Sequence, residues 1–323
     1  MSVRMPLWEM PAMIFCWLSA IVYLIFCVLV IIRRKHIGDT QRCFLNVAML
    51  NSIAEFALFL HVEIAIRARK YRLLPFYDEI PPSYLAVPIV CLTLLLRSCT
   101  FLGFITLAVN RFTAIVFPTK YRQIWSTKTA VSVCVLNWII AAALTVSGIF
   151  VGSPLGSFYL TTEGTLEIKY EYTGSQILLN TAIILCAFTV LVCTCLYVSL
   201  GYVILRANLI RKKMGIGKGE LKYVLCAVLT FAPLILELIR SIQEKYRSAS
   251  AMLSLSIAKK AWILSHDFLV GVQFFTLVFF TRLYWLVPKL PACRKITTVS
   301  MAMDSSPAIS RPSQRIPSSS ARS

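Results

Sequence analysis

The charged side chains Glu55, Arg97, Glu237 and Asp267 lie well inside long apolar stretches of this sequence, and Asp267 follows His266. A charged group at the centre of a bilayer costs about 2.5–3.5 kcal/mol on insertion scales, so we expect each to be paired or hydrated. Two interpretations stay open. These five residues contact a small ligand in a polar pocket, or they form a structural network of ion pairs between helices.

A further charge, Arg111, follows the third apolar stretch within the segment NRFTAIVFP, where its neighbour is Asn110 rather than an acid. Arg97 precedes it by fourteen positions, which is about 21 Å along a helix and close to four whole turns. We therefore expect Arg97 and Arg111 to lie on nearly the same helix face. By the same rise per residue, Glu55 and Glu237 stand about 18 and 21 Å above the inner ends of their own stretches, in the layer of Arg97.

The elements that position these charges are membrane spans. Hydrophobic residues make up 58% of the 323-residue chain and charged residues only 15%, a balance that disfavours a soluble domain. Stretches of the length needed to cross a bilayer occur seven times, roughly at 11–32, 43–66, 85–110, 129–151, 175–205, 223–240 and 261–283. Because backbone groups in lipid must be satisfied internally, the sequence predicts an all-α, integral membrane seven-helix bundle.

The chain divides into three parts. Residues 1–10 form a short N-terminal segment, residues 11–285 the helical domain, and residues 286–323 a Ser/Pro-rich tail that we expect to be disordered. The segment 153–174 contains glycine, threonine and acids, and we expect a turn or a short hairpin there. No internal repeat is visible.

Charge predicts the orientation. The formal net charge is +19, and the bases concentrate in the loops 33–42, 118–128 and 206–222 and in the tail. The positive-inside rule then places the N-terminus outside and the tail in the cytoplasm. Four bases, Arg67, Arg69, Lys70 and Arg72, are exceptions on the outer side. We attribute the basic charge to topology and to membrane lipid, and predict no nucleic-acid partner.

Other polar residues of the second span have simpler interpretations. Glu63 and Arg67 have the spacing of a surface ion pair, and His61 is expected to be a satisfied interface residue rather than a metal ligand. Asn51 and Glu55 share a helix face and could form a polar switch or an ion site. We find no metal-ligand spacing, phosphate loop or nucleophile motif, and predict no enzymatic activity, no metal and no cofactor.

The motif at the end of the third span carries a resemblance. Asn110-Arg111-Phe112 is followed by Pro118, Tyr121 and Trp125 in FPTKYRQIWS. This region resembles the Asp-Arg-Tyr region of G-protein-coupled receptors, and is most similar to nematode serpentine chemoreceptors of the Srv class in the Srg superfamily. The resemblance implies a chemosensory receptor in the plasma membrane of a sensory neuron. It would detect a small odorant or pheromone-like ligand and activate a heterotrimeric G protein.

The same resemblance implies roles for individual residues. Arg111, with Asn110 and Pro118 beside it, would contact the G protein or hold the bundle closed until ligand binds. Because the adjacent acid is missing, we hypothesise that Glu220 is the resting partner of Arg111 instead. The alternative is that Arg111 extends to the lipid headgroups. Pro233 would be a hinge in the sixth span, or only a packing kink.

One departure from receptor patterns is visible in the segment 153–174. The segment 153–174 contains no cysteine, so the disulfide that ties the third span to this loop in many receptors cannot form.

A transporter or channel subunit that uses the intramembrane charges as a path is the alternative function. Such a protein is expected to show paired broken helices and internal symmetry, and Pro233 is the one break we find.

Overall fold

The computed structural model describes residues 5–7, 9–32, 39–152, 156–161, 164–170, 172–212, 233–239, 241–242 and 271. All of them belong to one compact unit, Met1–Arg282. The predicted tail lies outside the described residues, as do Glu220, His266 and Asp267. The α-helices up to Lys212 are α1 (Met10–Ile32), α2 (Asp39–His61), α3 (Ala68–Lys70), α4 (Ala86–Val116), α5 (Tyr121–Ile124), α6 (Thr127–Gly152) and α7 (Tyr172–Lys212).

Five helical segments of the described part are long and apolar enough to cross a membrane, and they match the first five predicted spans. Their bounds are Met10–Ile32, Arg42–Lys70, Ser83–Val116, Thr127–Phe150 and Leu179–Val203. The second runs without a break from α2 through a π-helical turn, Val62–Arg67, into α3. Of the sixth and seventh predicted spans, the described residues are 233–239 and 271, and these are helical, as are residues 241–242 just after the sixth span.

The helices α4 and α7 end well beyond the C-terminal bounds of their predicted spans, residues 110 and 205. The helix α4 continues to Val116, so Arg111 lies in its final turns rather than in a loop. It ends there because the residue before a proline is disfavoured in helical conformation, and Phe117 before Pro118 has φ −124° and ψ 56°. The helix α7 continues to Lys212 with 41 residues, about 60 Å, which is twice the thickness of the hydrocarbon core.

The helix α4 is central, since it packs against α2, α6 and α7. Its contact with α7 forms an apolar cluster that also includes Leu234 from the segment 233–239. The buried members are Phe101, Phe104, Ala108, Leu185, Cys186, Cys193 and Leu234. Because lipid is as apolar as these side chains, the close fit between helices stabilises the cluster, rather than exclusion of water.

Polar side chains join α4 to its neighbours. The amide of Asn51 donates a 3.2 Å hydrogen bond to the carbonyl of Gly103, and the amide of Asn137 donates to the hydroxyl of Thr106 at 3.0 Å. A Cβ on Gly103 would stand 3.4 Å from Asn51 Cγ, so the glycine permits this close approach. Interhelical bonds and small residues are the usual means of helix association in membranes. Asn51 thus joins helices α2 and α4.

The predicted hairpin between the fourth and fifth spans is present. Strand β1 (Gly156–Leu160) pairs antiparallel with β2 (Leu166–Tyr170), with Phe158 opposite Ile168. Phe158 and Leu166 join a buried cluster with residues from α3, from the 3₁₀ turn Pro75–Tyr77 and from the start of α4, namely Ala68, Tyr77 and Ala86. The described cysteines are all free, and this apolar packing holds the hairpin in place.

Candidate functional site

The motif that follows the third span folds into a compact hydrogen-bonded unit. Asn110 is fully buried, and its side-chain oxygen accepts a 3.1 Å hydrogen bond from the hydroxyl of Tyr121 in α5. The indole of Trp125 donates a 2.7 Å bond to the hydroxyl of Thr113, one turn further along α4. The asparagine that replaces the expected acid is therefore the acceptor that fastens α5 to α4.

A tight turn makes this fastening possible. Pro118 occupies the second position of the turn Phe117–Lys120, in which the backbone N–H of Lys120 donates to the carbonyl of Phe117 at 3.1 Å. Proline favours this position because its φ is already that of the turn. The chain reverses into α5, which buries Tyr121 and Trp125 against α4 and leaves Arg122 and Ile124 exposed. The exposed side of α5 is therefore both basic and apolar.

Burial determines the chemistry of Tyr121. Removal from water raises the pKa of its phenol to about 12, an effect that the hydrogen bond to Asn110 and the charge of Arg111 partly offset. The phenol therefore stays protonated at every physiological pH and remains a hydrogen-bond donor. The link between α4 and α5 does not depend on a titrating group.

The guanidinium of Arg111 lies over an aromatic ring. Its Cζ atom is 3.4 Å from the centroid of Phe44, a buried residue near the start of α2. Arg111 itself is half-buried. Arginine over a ring face is an attractive cation–π contact, worth more where water is excluded. A residue of the second span thus holds Arg111, and no sequence signal pointed to it, because it depends on which helices are neighbours.

Arg97 and Glu237 form an ion pair between α4 and the segment 233–239. Glu237 is buried, with 1% of its side chain exposed, and Arg97 is 14% exposed and lies 6.0 Å from the ring of Phe101. The sequence prediction that these two charges share a layer agrees with this contact. Although Arg97 and Arg111 are fourteen residues apart on one helix, they reach different neighbours, the first in the sixth span and the second in α2.

Glu55 is buried on α2 and lies close to α1. Its charge acts on the hydroxyl of Tyr23 and the thiol of Cys27, both on α1. The ring of Tyr23 stacks on Phe56 at 5.6 Å, so aromatic packing accompanies the polar contact. Within the predicted layer of charges, Glu237 thus pairs with Arg97 of α4, and the charge of Glu55 acts on side chains of α1.

The C-terminal end of the second span contains a dense group of paired charges. Glu63 forms its expected pair with Arg67, but with 1% of the Arg67 side chain exposed the pair is buried, and the predicted surface location is wrong. The indole of Trp17 donates to Glu63 at 3.2 Å. His61 is satisfied as expected, with Thr93 Oγ1 at 2.8 Å and the carbonyl of Ile89 at 3.1 Å from its Nε2.

Glu9, which sequence reasoning passed over, completes this group. It is fully buried just before α1 and binds the hydroxyl of Tyr71 and the ammonium of Lys70, the latter at 3.4 Å. Arg69 lies 5.8 Å from the ring of Phe158 in the hairpin. The sequence did contain a signal for this contact, because Glu9 comes directly before the first span and Lys70 lies at the end of the second. The bases that seemed exceptional to the charge rule are engaged by nearby acids, carbonyls and rings.

The remaining predicted residues are placed as follows. Pro233 is buried and begins the described segment 233–239, which packs through Leu234 against α4 and α7. Gly271, in the seventh predicted span, lies against α1, since a Cβ there would be 2.7 Å from the ring of Phe15. Within the described ranges, no group of three His, Cys, Asp or Glu side chains could hold a metal ion.

The described part of the chain contains five membrane spans and residues of two more. Its Asn-Arg-Phe motif is hydrogen-bonded to the loop that follows. This combination is that of a serpentine membrane receptor. The chain matches the family described as serpentine type 7TM GPCR chemoreceptor Srv over residues 12–287, and it belongs to that family. It is therefore an integral membrane, chemosensory G-protein-coupled receptor. A search of curated proteins finds no match.

Proposed function

We propose that this receptor lies in the plasma membrane of a sensory neuron with its N-terminus outside and its Arg111 end in the cytoplasm. A small odorant or pheromone-like molecule binds in the outer half of the bundle and shifts the receptor toward a state that activates a heterotrimeric G protein. The charge distribution supports this orientation, because the bases outside local pairs concentrate at the Arg111 end.

The Arg97–Glu237 ion pair is the observation that carries the proposal. It ties α4, whose inner end carries Arg111, to the segment that begins at Pro233. A ligand that binds Arg97 or Glu237 would compete with the pair and change the balance between two arrangements of the sixth span. Ligand binding shifts such a balance only by its differential affinity for the two states.

Other residues of the proposed ligand contact come from neighbouring spans. We assign Glu55 from the second span and His266 and Asp267 from the seventh to the same ligand contact. Arg97 and Glu237 are its other members. The proposed coupling residues are Arg111, Asn110 and Pro118, with Glu220 as an acid that holds Arg111 in the resting state. A Glu220→Gln change is then expected to raise basal signalling, and unchanged basal signalling would remove Glu220 from this role.

The test is a signalling assay in reporter cells that express a promiscuous G protein. Wild type and Arg111→Ala are screened with volatile and water-soluble small molecules at matched surface expression. We expect responses in wild type that Arg111→Ala loses. Arg206→Ala is the control, because Arg206 is an exposed arginine near the basic end of α7 and its loss removes the same charge.

Two results would contradict the proposal. A response that survives in Arg111→Ala would reduce Arg111 to a lipid-facing anchor. An epitope tag at the N-terminus that antibody reaches only after permeabilisation would reverse the orientation. The transporter alternative predicts ligand flux, which the same cells can report with a labelled form of any active compound.

A further inference from the structure

The contact between Arg111 and Phe44 joins a charged side chain of α4 to an aromatic ring of α2. The guanidinium carbon stands 3.4 Å from the ring centroid, a separation at which the charge lies directly over the ring face. Phe44 is buried and Arg111 is half-buried, so the contact is largely shielded from water. Shielding strengthens a cation–π contact.

The residue beside Arg111 cannot take the place of an acid. Asn110 is neutral, and its side-chain oxygen already accepts the hydrogen bond from Tyr121. Asn110 is hydrogen-bonded to α5, whereas the guanidinium of Arg111 lies over a ring of α2. The two adjacent side chains thus have separate tasks. One fastens the loop after α4, and the other joins α4 to α2.

Stacking uses only the face of the guanidinium. Its five N–H donors lie in the plane of the group and point away from its edges. A ring on one face is therefore compatible with a carboxylate or a backbone carbonyl at an edge. The stack can hold the arginine side chain along α2 while an acid such as Glu220 binds the same group.

We propose that Phe44 is a positioning residue that holds Arg111 in the resting state of the receptor, through its ring face. This inference rests on the proposed function, in which Arg111 moves to engage the G protein. Engagement requires Arg111 to leave the ring, so the strength of the stack sets part of the resting population. Loss of a contact of this kind changes a two-state ratio between about 2-fold and about 30-fold.

A graded weakening of the ring tests the proposal without a change of shape. Mono-, di- and trifluorinated phenylalanine are introduced at position 44 of the full chain by nonsense suppression in oocytes that express a promiscuous G protein. Each fluorine withdraws electron density from the ring face and leaves the side chain nearly isosteric. We expect ligand-independent signalling, normalised to surface expression, to rise with each added fluorine.

Phe59 provides the matched control. It is a buried phenylalanine of the same helix, and it packs edge-on against Trp17 at 4.9 Å. The same fluorinated series at position 59 is expected to leave basal signalling unchanged. An equal rise at both positions would show general loosening of α2 and would overturn the role of Phe44.

Three further results are distinguishable. A flat response at position 44, together with lower signalling in Arg111→Ala, would reject Phe44 and leave the proposed function intact. A fall with fluorination would show that the stack favours the active state, which also overturns the proposal. Signalling that is the same in wild type and Arg111→Ala would remove the proposed function, and the role of Phe44 with it.

Discussion

The side-chain oxygen of Asn110 accepts a hydrogen bond from the hydroxyl of Tyr121 across the turn that ends α4. Both residues are buried, and they belong to consecutive helices separated by four residues. The bond explains why a neutral residue stands where many receptors have an acid. A carboxylate buried there would also require compensation of its charge, whereas the amide oxygen needs only a donor.

Replacement of Tyr121 by Phe is expected to weaken the attachment of α5. The change removes one donor and leaves the buried Asn110 oxygen without it, at a cost of about 1–3 kcal/mol. We expect a lower melting temperature of the purified receptor and weaker activation of the G protein. Tyr202→Phe is the control, since Tyr202 is exposed on the surface of α7. Equal melting of wild type and Tyr121→Phe would contradict this account.

The difference in melting temperature between wild type and Tyr121→Phe is expected to depend on pH with a defined sign. The folded pKa of Tyr121 is about 12, which lies above the value of about 10 for an unfolded chain. The contribution of the buried phenol to the free energy of unfolding is therefore fully present below about pH 10. It is lost as the pH rises toward the pKa of the folded state. The difference in melting temperature between wild type and Tyr121→Phe should stay constant from about pH 7 to about 9 and decrease above about pH 10.

An acid at position 110 is expected to lower basal signalling. In Asn110→Asp the carboxylate can still accept from Tyr121, and its charge attracts the adjacent Arg111. The side-chain nitrogen of Asn110 has no hydrogen-bond partner among the described residues, so no bond is lost there. The measurement is ligand-independent G-protein activation at matched surface expression. Asn110→Ala separates charge from the loss of the hydrogen bond, and raised activity in Asn110→Asp would be the contrary result.

Charge exchange tests the pair between α4 and the sixth span. Glu237→Gln or Arg97→Gln alone leaves one charge buried without its partner, which typically costs about 3–5 kcal/mol. The exchanged variant Arg97→Glu with Glu237→Arg should recover part of the lost thermal stability. A double-mutant cycle on melting temperatures reports the coupling between the two sites. Additive losses, with no recovery on exchange, would show that the two charges act independently.

The hairpin is expected to depend on Phe158 and not on a disulfide. Phe158→Ala removes the ring from the buried cluster and from Arg69, with a cost of about 3–5 kcal/mol typical of buried phenylalanine. We expect faster proteolysis of the loop and a weaker response to ligand. Ser157→Ala, an exposed change on the same strand, is the control.

Reducing agents provide the second half of that test. The described cysteines are free, so reduction is expected to leave the ligand response of wild type unchanged. A response that reductant abolishes would point to a disulfide and against the apolar account of the hairpin.

Much of the architecture was determined by the sequence alone. Long apolar stretches predict spans because lipid cannot satisfy a bare backbone, and the first five stretches are helices in the structure. The absence of cysteine from 153–174 already excluded a disulfide there. The motif of Asn110, Arg111, Pro118 and Tyr121 resembles that of the receptor family, and it is visible in the sequence because its residues lie close together in the chain.

Only the tertiary structure decided which side chains meet. Periodicity gives the depth and the face of a residue, but not the identity of the neighbouring helix, so it could not pair Arg97 with Glu237 or direct Glu55 toward α1. The stack of Arg111 on Phe44 and the burial of Glu9 against Tyr71 have the same origin. These contacts join residues far apart in the chain, and they follow from how the helices pack rather than from any local sequence pattern.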